Sequence, residues 1–340
     1  MQNPNLSPLL LQYRLALFTC LLAFAVVLLG AYVRLSDAGL GCPDWPGCYG
    51  RMIVPSNEAL LTDVQAPFPD RPFHSGKAWK EMAHRYLAGS LGAAILSLAI
   101  LAWRRRDDSR QPLLLPTVLL ALVILQAALG MWTVTLLVKP AIVTAHLLGG
   151  FATFVLVWLL ALKLSAADPP RMPETTPSRR WGIRVAIMVL LLQISLGGWT
   201  STNYAALACS EFPACYAGEW WPEMDFHEAF ILWRGLGVNY EFGVLENDAR
   251  TAIHMTHRLG ALVTAVTLAL LAWRLTQRRS TASARKMGYL LLALLTLQIG
   301  FGITNVLAHL PLAVAVAHNG GAALLLLILV TLNQVSRQRK

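Results

Sequence analysis

The sequence predicts an all-α integral membrane protein whose eight transmembrane helices form two pseudo-symmetric four-helix bundles. Three observations predict it. Of 340 residues, 56% are hydrophobic and only 14% are charged, where a soluble domain carries about 25% charged residues. The charges fall in clusters, and the stretches between them are nearly uncharged for roughly 20 residues, enough to cross a ~30 Å hydrocarbon layer as a helix. The second half of the chain also repeats the pattern of the first.

Spans are expected near residues 13–33, 84–103, 113–137, 142–162, 182–203, 254–273, 287–306 and 312–334. They must be helical, because lipid offers no partner to a free backbone N–H or C=O. The first span is longer than the apolar core of a signal peptide, and Gly30-Ala31-Tyr32-Val33-Arg34 is a poor cleavage site, so it is expected to remain as a membrane helix. Residues 1–164 are then an N-terminal bundle and residues 182–340 a C-terminal one. Segment 165–181, with its Pro-Pro pair and Arg, Ser and Thr content, is the linker between them.

The formal net charge of +10 reports topology and implies no nucleic-acid partner. Most of the 28 basic residues fall beside Arg14, after span two, between spans four and five, between spans six and seven, and at the C-terminal end. All of these positions lie on one side. The positive-inside rule makes that side cytoplasmic, with both termini inside, as expected of a multi-pass protein of the bacterial inner membrane. The long segments 35–83 and 204–253 then face the periplasm. They hold Cys42, Cys48, Cys209 and Cys215, in a compartment where disulfides persist. Cys20, within span one, reads as a small apolar residue.

The repeat is explicit in the residues. GAYVRLSDAGLGCPDWPGC (30–48) aligns with GGWTSTNYAALACSEFPAC (197–215), EMAHR (81–85) with HMTHR (254–258), and AHLLGG (145–150) with AHNGGA (317–322). Gln126 and Gly130 match Gln298 and Gly302. An even number of helices per half keeps both halves in one orientation, a parallel repeat about an axis normal to the membrane.

Four of the eight histidines recur at matched positions, His84 with His257 and His146 with His318, each expected to open an even-numbered span at its outer end. Two histidines facing each other across a bundle suit the axial positions of a haem iron, and they are too few for a closed structural zinc site. Glycines at 89, 92, 149, 150, 260, 320 and 321 leave room for a flat macrocycle. Arg85 and Arg258 each follow a ligand candidate; pairing with haem propionates and interfacial snorkelling are both open readings. His74, His227, His254 and His309 are expected in loops or beside the ligands.

The halves differ at one telling position: Glu81 occupies the place of His254. Three residues before His84, Glu81 shares a helical face with it if the helix starts early enough. There it is a carboxylate able to handle protons, or a helix-start acid favoured by the dipole. The asymmetry suggests that the first-half haem reacts while the second serves as cofactor or relay. Of the three possible pairings of the loop cysteines, the repeated Cys-x5-Cys spacing favours Cys42–Cys48 and Cys209–Cys215. A structural staple and, for the first pair, a redox role are both open.

These residues together resemble the haem A synthase family of respiratory-oxidase assembly proteins. The resemblance covers nearly the whole chain and is carried by EMAHR and HMTHR, AHLLGG and AHNGGA, RLSDAGLGCPDWPGC and LGGWTS. It implies oxidation of a methyl group of haem O to a formyl group by successive hydroxylations. It further implies that His84 and His146 hold the substrate haem O, that His257 and His318 hold a haem b cofactor, that Glu81 is catalytic, and that each loop closes a disulfide. Partners implied are the lipid bilayer, the farnesyltransferase that makes haem O, and other oxidase assembly proteins; the sequence leaves the electron donor open. Two other classes use parts of the same pattern. A dihaem cytochrome oxidising a quinol needs the four histidines but not a one-sided Glu81, and a haem carrier needs no permanent second haem. The Pro-rich segment 49–80 has no match in the second half.

Overall fold

The computed structural model describes residues 7–55, 66–69, 71–165, 177–278 and 280–337; most of the expected linker lies outside them. The apolar stretches form eight long helices: α1 (Ser7–Leu35), α2 (Ser75–Arg104), α3 (Leu114–Thr135), α4 (Pro140–Leu164), α5 (Pro177–Thr202), α6 (Asn247–Thr276), α7 (Ala282–Leu307) and α8 (Leu312–Arg337). Each is long and apolar enough to cross a membrane. A single helical turn, Phe226–Ala229, lies in the loop between α5 and α6.

Two helices begin earlier than hydropathy predicts, α2 at Ser75 and α6 at Asn247. Their added turns carry Lys77, Lys80 and Glu81, or Asp248 and Arg250, which are too polar for hydrocarbon. Packing on the cysteine loops holds these turns. Ala78 and Met82 are buried against Cys42, Cys48, Tyr49 and Val54, and Ala249, Ala252 and Ile253 against Trp199, Ala205 and Leu245.

The repeat extends to unusual backbone. Leu137 and Val138 turn α3 into α4 with φ of 55° and 52°, and the matched His309 and Leu310 turn α7 into α8 with φ of 55° and 61°. Left-handed conformation is unfavourable for a β-branched residue such as Val138. Here Val138 N donates to the Thr133 carbonyl at 2.7 Å, as Leu310 N does to that of Asn305 at 2.7 Å. The same closing bond thus forms around unlike side chains.

Helices α1, α4, α5 and α8 meet at the seam between the halves, with α2, α3, α6 and α7 outside them. The seam is mainly hydrocarbon, with Phe151, Leu160, Leu190, Leu325 and Leu329 in one continuous core. Trp158 Nε1 donates to Thr331 Oγ1 at 2.8 Å between α4 and α8. At the cysteine-loop end, Arg34 Nη2 donates to the Ser201 carbonyl at 2.6 Å and the Tyr204 hydroxyl to Asp37 at 3.1 Å. The Arg34 guanidinium lies 4.2 Å over the Tyr204 ring. Burial raises the Tyr204 hydroxyl pKa, with Arg34 acting in the opposite direction.

The two halves are not packed alike. In the first, α1 and α4 lie close and α2 and α3 part; in the second, α6 and α7 lie close and α5 and α8 part.

Candidate functional site

A cavity of about 2000 Å³ runs through both halves, and His84, His146, His257 and His318 all line it. It exceeds the roughly 300–1,000 Å³ of a pocket for one drug-sized ligand. Because α2 and α6 start early, His84 and His257 stand between two and three turns inside their helices, while His146 and His318 lie under two turns inside α4 and α8. His84 and His146 line the cavity in the first half, and His257 and His318 in the second, as the repeat expects.

A glycine on a neighbouring helix backs each imidazole. A Cβ at Gly30 would lie 3.0 Å from His84 Cε1, at Gly130 3.5 Å from His146 Cε1, at Gly197 3.2 Å from His257 Cε1, and at Gly302 3.2 Å from His318 Cε1. The sequence carried this signal as repeated glycines, but the reading above gave other glycines to the macrocycle. Gly149 and Gly321 instead seat the amides of Gln126 and Gln298, Gly260 seats that of Gln193, and Gly320 faces Leu28.

One imidazole has an added partner. Gln193 Nε2 lies 3.0 Å from His257 Nδ1 and donates to the His257 carbonyl at 3.0 Å. The repeat places Val26 at the matching point of the first half. There, the buried Nδ1 atoms of His84 and His146 have no hydrogen-bond partner.

Beside the histidines, each cysteine loop is tied to its helix by the residue that differs. Glu81 Oε2 accepts from the Cys42 N–H at 2.8 Å, and Arg85 Nη2 donates to Glu81 Oε1 at 2.5 Å. Arg85 Nη1 also donates to the carbonyls of Asp44 at 2.9 Å and Gly47. In the second half the Cys209 N–H donates to His254 Nδ1 at 3.2 Å, and Arg258 Nε lies 3.2 Å from His254 Nε2. Arg258 further donates to the carbonyls of Ala214 at 2.9 Å and Glu211 at 2.6 Å. Both arginines therefore clasp loop carbonyls while lining the cavity. Cys42 is bonded to Cys48 and Cys209 to Cys215. Within each ring the acid between the cysteines closes the turn: Asp44 accepts from the Tyr49 and Gly50 N–H groups, and Glu211 from those of Ala217 and Gly218.

The donor set fits a haem. Among the described residues no three His, Cys, Asp or Glu side chains cluster to hold a metal ion, whereas a macrocycle brings four equatorial nitrogens of its own and asks the protein for two axial ones. Imidazole nitrogens without a protein partner at membrane depth are costly unless a ligand engages the ring. Paired histidines lining a largely apolar cavity fit the needs of an iron–porphyrin.

The profile of the family described as cytochrome oxidase assembly protein (COX15-CtaA) matches residues 13–330. The chain is 46% identical to the haem A synthase of Shewanella oneidensis over 315 residues, 93% of each chain. It is 29% identical to that of Caulobacter sp. K31, over 90% of each. It is 27% identical to that of Halalkalibacterium halodurans, over 90% of this chain and 89% of the other.

Proposed function

The chain belongs to the haem A synthase family of cytochrome oxidase assembly proteins, and from that premise we propose that it oxidises haem O to haem A. The methyl group becomes a formyl group by successive hydroxylations. Residues 1–164 are the substrate bundle in this reading, in which His84 and His146 would hold haem O. Residues 182–340 form the cofactor bundle, with His257 and His318 holding haem b. A bound haem supplies the redox chemistry. The paired imidazoles would hold the haem in an apolar cavity, and Glu81 beside the first pair alone would serve as the proton-handling carboxylate. Arg85 and Arg258 hold the loops over the haem sites and offer positive charge to propionates there. The clustering of basic residues supports cytoplasmic termini and periplasmic cysteine loops.

The observation that carries this reading is one cavity flanked by two repeated histidine pairs with an acid at only one of them. The test is to purify the protein from membranes and identify its extracted haems by chromatography and mass. Haem b together with haem O, haem A or a hydroxylated intermediate is expected. Haem b alone, at two per chain, would overturn the reading in favour of an electron-transfer cytochrome.

A further inference from the structure

The histidine cavity runs deeper between α2 and α3 than between α6 and α7. In the first half it is lined as far as Leu96 on α2 and Leu120 on α3; in the second it reaches only Ala265 and Leu295. Those two residues match Gly92 and Val123 in the repeat. Along these two helices the first half therefore extends about one helical turn further, roughly 6 Å, whereas on the remaining helices both halves end at matched residues, Ala23 with Leu190 and Thr153 with Leu325.

Sequence explains the difference. On α7, a Cβ at Gly288 would lie 2.9 Å from Leu275 Cβ and 3.1 Å from the Ala272 carbonyl oxygen of α6. Glycine lets the two helices meet there, as small residues do at membrane helix crossings. The matching residue on α3 is the buried Pro116, which is bulkier than glycine, and α2 and α3 pack together less extensively than α6 and α7. Facing the gap, a Cβ at Gly89 would meet no atom within 4 Å, and one at Gly92 only Val123 Cγ2 at 3.9 Å. The second half has Leu262 and Ala265 at these places. The deeper wall, Leu96, Leu120, Val123 and Ile124, is entirely hydrocarbon, and Leu96 and Ile124 are exposed.

We propose that this slot between α2 and α3 holds the isoprenoid tail of the substrate haem and is the route by which that haem passes between the bilayer and the His84–His146 site. The proposal rests on the first half being the haem O site. From the level of His84 to Leu96 the slot runs about 18 Å along α2, ample for a chain of several isoprenoid units. Its polarity also fits an amphiphile. Arg85 lies at one end to offer positive charge to the carboxylates, and hydrocarbon lies at the other for the tail. Lipid is as apolar as the slot, so the gain is one of fit and selectivity more than of hydrophobic transfer.

The test compares haem O with haem b, which lacks the tail, in absorbance titrations of the purified full-length protein already carrying its second-half haem. The wild type should hold haem O more tightly than haem b in the first half, by about tenfold or more. Gly89→Leu with Gly92→Ala, which installs the second-half residues, should lose that preference while still taking up haem b. Ile124→Trp fills the slot from α3 and should do the same; retained second-half haem confirms folding of either variant. Slot-filled variants that keep the preference would overturn the slot, as would a wild type that binds both haems equally. A wild type whose first half takes up neither haem would instead overturn the proposed function itself.

Discussion

The two cysteine loops are anchored by the same three-part device with one part exchanged. In each, a helix residue accepts the N–H of the first cysteine and meets the arginine four residues on; it is Glu81 in the first half and His254 in the second. A carboxylate has lone pairs for both donors. A neutral imidazole has only one acceptor nitrogen, so His254 cannot accept from Cys209 N–H and Arg258 together. The comparison teaches that Glu81 is both a structural tie and a negative charge set beside one histidine pair alone, and that the second half keeps the tie without the charge.

The largest effect should come from the histidines. His257→Ala or His318→Ala should remove most of the haem b from purified protein while leaving haem bound in the first half, read from pyridine haemochrome spectra and extraction; an unaltered haem spectrum would remove these residues as ligands. Next is Glu81. Its replacement by Ala leaves the Arg85 charge and the Cys42 N–H without their partner, and breaking such a buried pair costs about 3–5 kcal/mol, visible as a lower midpoint of thermal unfolding. The sharper variant is Glu81→His, which makes the first half like the second. It should fold and keep its haem content yet lose haem A production, and normal turnover would show that the charge is not needed. Opening the first ring with Cys42→Ser and Cys48→Ser should cost ~2–3 kcal/mol by the chain-entropy argument, again measured by unfolding. The smallest effect is expected at Gln193. Gln193→Val, which installs the first-half residue, should weaken haem b retention about tenfold, the low end for residues that orient a metal-bound histidine, and should shift the haem b reduction potential without disturbing the first half.

Much of this was legible in the sequence because it depends on period and composition. The eight spans, the repeated histidines and the cysteine spacing can all be read along one dimension. The early starts of α2 and α6 could not, since hydropathy discounts Lys77, Glu81 and Asp248, and only the loops packed on them make those turns helical. Nor could the glycines behind the imidazoles: Gly30 is 54 residues from His84 in the chain, and its contact exists only once α1 and α2 are packed. The parting of α2 from α3 turns on Pro116 standing where the second half has Gly288, a difference that means nothing until the helix crossing is known.

The seam at the cysteine-loop end carries a consequence for its symmetry. Arg34 contacts the Ser201 carbonyl and Asp37 contacts Tyr204, and in the repeat Ser201 is the counterpart of Arg34 and Tyr204 that of Asp37. Contacts between counterparts mark the places where, in a dimer of identical units, a residue would meet its own copy. Two first halves docked this way would set aspartate against aspartate, whereas the two unlike halves set a carboxylate against a phenol that donates to it. The pseudo-symmetry of the fold is thus broken by side-chain chemistry on the axis itself.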